Sequence, residues 1–413
     1  MSEITKYLII GGGLSSGFAV DGIRELDVDG KITLVTKEHH IPYNRVVLSK
    51  GYLRGEIARD ELFFKKEEFY RNNKVDLIQG REVTSLNTKN NMIELDDHQK
   101  FTYSRLLLAT GGRARKLSIP GSELRGTYYL RTIEDSDALQ EIASSSQRAV
   151  IIGGGFIGCE VAASLASKGL EVTILERAKH LLSAVIDDGT GEWIDSYFRN
   201  KGVRVITSCS VSRIIGENGR VVAIEIEDGK KVDTDFVLIG VGLVPNEELA
   251  ESAGLKVEKH IVVNEFMETS VEGVYAAGDV TRFYCPLFYR YLHVEHYDVA
   301  VKQGQIAGTN MAGGRKAFDE VPFFFSEAFD LAINAYGDLA HRTKIVKRGA
   351  RELQNGFLEF YLEEQKLSGV LSVNANWDEV QKAKALVQLR KDFRNPEVLS
   401  DESVPLESFV IGK

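Results

Sequence analysis

Two glycine-rich turns, each set between an apolar strand and a helix, and a change of text near Val321 predict an α/β chain. The expected architecture is two Rossmann-like dinucleotide-binding domains, each a three-layer ββα sandwich, followed by a C-terminal α+β domain. The first turn lies in YLIIGGGLSSGFAV (Tyr7–Val20) and the second in AVIIGGGFIGCEVAASLA (Ala149–Ala166), which repeat one grammar of strand, glycines and helix. At 413 residues the chain is two to three times the ~100–200 typical of a domain, so three domains fit. The expected boundaries are 1–115 with 246–320 for the first unit, 116–245 for the second and 321–413 for the third.

Taken in order, each glycine turn is followed by helical text and a second strand, KITLVTKE (Lys31–Glu38) and EVTILER (Glu171–Arg177). Short strands with turn signals come next, VDLIQGREVTSLNTKNNMIELDD and VRVITSCSVSRIIGENGRVVAIEIEDGKKV, and read as antiparallel material appended to each parallel sheet. RLLLATGG (Arg105–Gly112) and DFVLIGVGLVPN (Asp235–Asn246) run from strand into glycine and could close their units; GVYAAGD (Gly273–Asp279) ends in glycine plus a carboxylate. From Val321 the text becomes VPFFFSEAFDLAINAYG, then alternating strands and a helix near Trp377–Lys391. No Pro/Ser-rich linker intervenes, so closely packed domains are expected. The nearly uncharged stretch Ala149–Ala166 is almost long enough to span a membrane, but its three glycines and Glu160 favour strand, turn and helix, and no membrane span is expected.

Composition narrows the function. A hydrophobic fraction of 43% and a charged fraction of 27% exclude a mostly disordered or multi-span membrane chain. Glycine, at 38 residues against 7 prolines, is in excess where backbone must approach something closely. A net charge of −9 without a basic stripe argues against nucleic acid. Cys159, Cys209 and Cys285 lie far apart, so neither a disulfide framework nor an adjacent redox dithiol is available. No metal site is expected. The N-terminus MSEITKYLII carries no signal-peptide pattern, which makes cytoplasmic residence the default.

Gly11-x-Gly13-x-x-Ser16 opens a helix after the strand Tyr7–Ile10, where backbone without Cβ can approach a pyrophosphate at the positive helix end; Ser16 replaces the usual third glycine. Gly153-x-Gly155-x-x-Gly158 is complete. Glu176 ends the next strand, where a carboxylate bonds a ribose 2′-hydroxyl and disfavours a 2′-phosphate, so NADH is expected over NADPH. Arg177 and Lys179 keep NADPH open, since either could turn toward a phosphate. In the first unit the corresponding acid is Glu38, with Lys37 beside it.

Together with PYNRVVLSK (Pro42–Lys50), ATGG (Ala109–Gly112), LRTIEDSDAL (Leu130–Leu139), GGGFIGCE (Gly153–Glu160), GVGLVPN (Gly240–Asn246), YAAGDV (Tyr275–Val280), VEHYDVAVKQGQIAG (Val294–Gly308) and PFFFSE (Pro322–Glu327), these motifs make nearly the whole chain resemble a known family. It is that of the two-dinucleotide flavoprotein reductases, in the branch of ferredoxin/rubredoxin reductases and apoptosis-inducing factor. The resemblance implies FAD held by Gly11, Gly13, Leu14, Ser15 and Ser16, with Glu38 and Arg45 on the adenosine side. It places Ala109, Thr110 and Gly111 where the two domains cross, Asp279 on the ribityl chain beside Gly278, and Arg131 among the cofactor contacts. The NADH site would use Gly153, Gly155, Phe156, Ile157, Gly158, Glu176, Gly240, Val241 and Gly242. Lys50 and Glu160 resemble the paired charges that the family sets beside the reacting rings, and are the expected catalytic residues. Otherwise they are a solvated loop lysine and a helix N-terminal acid. Glu295 and His296 are candidates for flavin or nicotinamide contacts. Phe325 stands where tryptophan is common, which weakens any argument for an electron path through it. The aromatic run FYCPLFYRYLH (Phe283–His293) is either core or a shield over one flavin face. The implied activity is hydride transfer from NADH to FAD, then single electrons to a small iron–sulfur carrier, a ferredoxin or rubredoxin. The alternatives are an NADH oxidase-like flavoprotein with dioxygen or quinone as acceptor, or a redox-sensing protein; a homodimer is left open.

Overall fold

The computed structural model describes residues 3–411; Met1, Ser2, Gly412 and Lys413, at the outer ends of the expected first and third domains, lie outside the described residues. Glu3–Ile10 pairs in parallel with Ile32–Thr36 on one side and Lys100–Leu108 on the other, at the centre of a seven-stranded sheet. Ile32–Thr36 is buried along its whole length, as a parallel strand covered on both faces must be. The sheet continues from Ile32–Thr36 to Val75–Gln79, and from Lys100–Leu108 to Met92–Leu95 and Val83–Asn87, while Val274–Ala276 pairs with the far end of Lys100–Leu108. One expectation is corrected here. Val75–Gln79 and Arg204–Ile206 are parallel members of their sheets, each reached over a helix, Glu67–Asn72 and Asp188–Asn200, as a strand–helix–strand crossover requires. Only the strands beyond them are antiparallel.

The second parallel sheet runs Arg204–Ile206, Glu171–Leu175, Arg148–Ile152, Phe236–Ile239, Thr127–Tyr128, with a three-stranded antiparallel sheet beside it. The uncharged stretch resolves into the strand Arg148–Ile152 and the helix Phe156–Ser167. Gly112–Ala114 and Leu243–Pro245 form a two-stranded ribbon joining the two sheets' chains. A Cβ on Gly112 would lie 2.0 Å from Leu243 Cδ2, so the ribbon closes only around glycine. The C-terminal sheet has five antiparallel strands, ordered Phe323–Ala328, Leu331–Gly337, Lys366–Val373, Phe357–Glu363, Lys344–Arg348, covered by the helix Trp377–Gln388, which stops three residues short of the expected Lys391. Polar bonds tie this sheet to the second unit: Thr190 to buried Glu359, Arg351 to Asp187, and Tyr197 to Asp330.

The helix Leu14–Leu26 lies against the helix Tyr297–Met311 with almost no side chain between them. Cβ atoms on Gly22, Gly304 and Gly308 would come within 2.1–2.3 Å of the carbonyl oxygens of Gln305, Ser15 and Ala19. The aromatic run splits by strand alternation: Phe283, Cys285, Phe288 and Leu292 are buried, while Tyr289 is 83% and Tyr291 40% exposed. Most of it is therefore core and hairpin surface. Among the described residues no helix is long and apolar enough to cross a membrane.

Candidate functional site

Gly11 leaves the strand at φ +131° with its N–H on Val35 O, and a Cβ there would lie 2.0 Å from Ala109 O. Gly13 is the N-cap of the helix Leu14–Leu26, and a Cβ on it would meet nothing within 4 Å. The backbone here thus opens onto free space at the positive end of a helix, the form an anion cradle takes. Ser15 donates to Ala300 O at 2.8 Å, the Gly278 N–H donates to Gln303 Oε1 at 2.8 Å, and the buried Ser16 hydroxyl has no partner. These bonds bring the first glycine turn, the Gly278–Asp279 turn and the helix Tyr297–Met311 together.

Glu38 accepts from Tyr43 Oη at 2.6 Å and is paired with Arg45; Arg45 Nη1 also donates to Arg131 O at 2.9 Å, and Arg131 Nη2 to Asp279 Oδ2 at 3.0 Å. A continuous polar chain therefore runs from Glu38 to Asp279. Lys37 does not obstruct it, being exposed and paired with Glu82 at 2.8 Å. Ala109 bonds Ile10 O, while Thr110 and Asn246 exchange two bonds, 2.7 and 2.9 Å, at the crossing where Gly111 has φ +58°.

The second turn repeats the first. Gly153 has φ +109°, Gly155 caps the helix Phe156–Ser167 with open space beyond it, and a Cβ on Gly158 would lie 2.0 Å from Gly153 O. Glu176 accepts from the N–H groups of Gly154 and Ala178, so it is oriented by backbone. Lys179 is paired with Asp188 at 2.8 Å, and Arg177 is exposed. Gly240 bonds Ile152 O, Gly242 has φ +105°, and Val241 between them and Ile157 beyond the turn are partly exposed.

On the helix after the second turn Glu160 makes a buried ion pair, Lys50 Nζ to Glu160 Oε1 at 2.7 Å. Ser49 Oγ donates to Glu160 Oε2 at 2.6 Å and Ser326 Oγ to Glu160 Oε1 at 2.7 Å. Glu160 thus gathers a lysine and two hydroxyls from two separate stretches of chain, residues 49–50 and 326. Lys50 Nζ is 6.0 Å from the centre of the Phe325 ring. His296 stacks on Phe324 at 4.4 Å and meets the Phe156 edge at 5.9 Å; burial pushes its imidazole down to about 4, so the ring is neutral near pH 7. Glu295 does not join this group: it is exposed and its carboxylate lies 2.9 Å from His293 Nε2.

Ser49, Ser326, Phe324 and Gln303 were not among the expected site residues. Ser49 and Ser326 lie inside the PYNRVVLSK and PFFFSE motifs, but which hydroxyl faces Glu160 depends on packing between distant segments. Cys159, near the N-terminus of the helix Phe156–Ser167, is a buried thiol. Burial, and then the nearby Glu160, Glu176 and Asp195, push its thiol well up, and its Sγ rests on Gly154 O.

Two glycine turns that each open at a helix N-terminus, with a buried lysine–carboxylate pair whose acid sits on the helix after the second, define a class of reductase, and the comparisons place the chain within it. It belongs to the pyridine nucleotide-disulphide oxidoreductase family, whose pattern it matches over residues 5–304, with the reductase C-terminal family matching 323–410. Membership makes it an oxidoreductase with FAD and a nicotinamide dinucleotide as cofactors. It is 32% identical to the putidaredoxin reductase of Pseudomonas putida over 99% of this chain and 98% of the relative, and 31% identical to a rubredoxin-NAD(+) reductase of the same species over 82% and 88%. Among solved structures, a ferredoxin reductase from Rhodopseudomonas palustris superposes with a TM-score of 0.92 at 30% identity, covering 98% of this chain and 99% of that one. A covalent putidaredoxin reductase–putidaredoxin complex gives 0.93 at 32%, covering 98% of each. The open space at Gly13 and the unpartnered Ser16 hydroxyl fit a pyrophosphate, so FAD suits the first cradle.

Proposed function

We propose that this reductase draws electrons from NADH through FAD and delivers them singly to a small iron–sulfur protein of ferredoxin or rubredoxin type. The carrying observation is the buried Lys50–Glu160 pair, held by Ser49 and Ser326. When bound, FAD supplies the conversion of a two-electron hydride donor into one-electron steps. In the same reading residues 1–115 and 246–320 hold FAD, 116–245 bind NADH, and 321–413 bring Ser326 and Phe325 to the site. Gly11, Gly13, Leu14, Ser15 and Ser16 cradle the FAD pyrophosphate, and Glu38, Arg45, Arg131 and Asp279 fix its orientation. Lys50 would hold a positive charge beside the flavin, Glu160 would keep that charge in place, and His296, Phe324 and Phe156 would keep water out.

Glu176 favours NADH because a carboxylate facing the ribose repels a 2′-phosphate, and Lys179 is already engaged by Asp188. The test is an anaerobic titration of the yellow protein with NADH, followed by addition of a ferredoxin with and without air. Bleaching by NADH, recovery with the ferredoxin, and kcat/KM lower with NADPH are expected. Recovery only in air would replace the carrier by dioxygen. In stopped flow, Lys50→Ala should slow flavin reduction at least tenfold while the NADH dissociation constant changes less; an unchanged rate removes Lys50 from the reaction.

A further inference from the structure

Away from the Lys50–Glu160 pair, three side chains that could hold a metal converge from different stretches of chain: His260, just before the strand Ile261–Val263; His293, just after Arg290–Leu292; and Glu295, one residue before the N-cap His296 of the helix Tyr297–Met311. One ligand atom from each lies within 4.8 Å of the others. The imidazoles of His260 and His293 stack with centroids 3.5 Å apart, and among the described residues no hydrogen bond engages the His260 ring.

His293 carries the argument. Its Nδ1 lies 2.8 Å from Thr281 O, a carbonyl that can only accept, so Nδ1 holds the proton. Its Nε2 then faces Glu295 Oε1 at 2.9 Å. Two lone pairs cannot face each other at that distance; either a second proton makes the ring an imidazolium, or a cation stands among the three groups. An Nδ1–H fixed on a backbone carbonyl with Nε2 pointing outward is the usual outer support of a metal-bound histidine.

We propose that His260, His293 and Glu295 form a binding site for a divalent transition-metal ion, Zn2+ being the ion tested, with water completing the shell on the exposed Glu295 side. Zinc takes imidazole nitrogen and carboxylate oxygen at about 2.0–2.2 Å, so ligand atoms in a tetrahedral shell lie ~3.5 Å apart. Two imidazoles and one carboxylate suit Zn2+, Co2+ or Ni2+ and discriminate against the oxygen-seeking Mg2+ and Ca2+. The ion would anchor residue 295, and with it the end of the helix whose cap is His296.

The experiment uses tag-free flavin-loaded protein, dialysed against a chelator and equilibrated with Zn2+ or Co2+ at micromolar concentration. Metal retained after gel filtration is counted by mass spectrometry. Wild type should retain roughly one equivalent and His260→Ala and His293→Ala about tenfold less, with Co2+ bands beyond the flavin absorption lost in both variants. Thermal unfolding adds a second readout: Zn2+ should raise the wild-type midpoint and leave that of His260→Ala unmoved. His260→Ala should keep its flavin spectrum and NADH-dependent reduction rate, which separates loss of metal from loss of fold. If it does not fold, His260→Gln carries the same expectation. Equal retention in wild type and variants, or no retention by wild type, overturns the site.

Discussion

In the first dinucleotide unit Glu38 is held by Tyr43 and Arg45, side chains of a loop that also reaches Arg131 and, through it, Asp279. In the second, Glu176 is held by the backbone of Gly154 and Ala178, within its own strand–turn–helix. The same glycine grammar therefore ends in one acid held by side chains whose polar chain runs on to Arg131 and Asp279, and another held by backbone N–H groups of its own strand–turn–helix. A site assembled from remote segments is costly to open and suits a resident cofactor. A site finished within one turn can fill and empty without disturbing the rest, as a dinucleotide that leaves after each turnover requires.

Breaking the turns themselves should separate the two units most sharply. Gly11→Ala places a Cβ against Ala109 O in a left-handed conformation, a strain of roughly 1–3 kcal/mol or more. The purified variant should be colourless or lose its flavin on gel filtration. Gly153→Ala meets Gly240 O in the same way, but should stay yellow and show a KM for NADH raised about tenfold or more. Next come the acids. Glu38→Gln leaves Arg45 without its counter-charge, about 1–3 kcal/mol, and should release flavin at lower urea than wild type. Glu176→Gln should keep its flavin and narrow the NADH over NADPH ratio in kcat/KM. If both acids affected flavin retention equally, the contrast between remote and local support would be lost.

Smaller effects should come from the junction between the units. Ser326→Ala removes one hydrogen bond to an ionised carboxylate, about 1.5–3 kcal/mol, and should slow NADH-dependent flavin reduction roughly tenfold with little change in flavin content. A separate effect is in pH dependence. His296 titrates near 4 in the folded chain against an ordinary 6.5, so the unfolded chain binds the extra proton between those values. Its contribution to stability is complete above about 6.5 and declines as pH falls toward 4. The His296→Phe variant should therefore lose less thermal stability than wild type between pH 6.5 and 4.

Much of this was legible in the sequence because local rules govern it. Strand, glycine turn and helix at Tyr7–Val20 and Ala149–Ala166 need only periodicity and residues that tolerate positive φ. Val75–Gln79 was misread because a strand's text does not reveal the direction of its partner, which the crossover over Glu67–Asn72 decides. Glu295, adjacent to His296 in sequence, is engaged by His293, a pairing that its position in the text does not announce. The hydroxyls of Ser49 and Ser326 face one carboxylate only after three distant segments have packed, and no spacing announces that.

The close crossing of the helices Leu14–Leu26 and Tyr297–Met311 has a mechanical consequence. Where Gly22, Gly304 and Gly308 let main chain rest on main chain, there are no rotamers to reshuffle and nothing compressible in between. The two helices run the same way, Ser15 meeting Ala300 and Gly304 and Ala19 meeting Gly308, so the N-caps Gly13 and His296 lie at the same end of one rigidly packed pair. The two units are joined instead through the thin ribbon at Gly112–Ala114 and Leu243–Pro245, flanked by Gly111 at φ +58° and Gly242 at φ +105°.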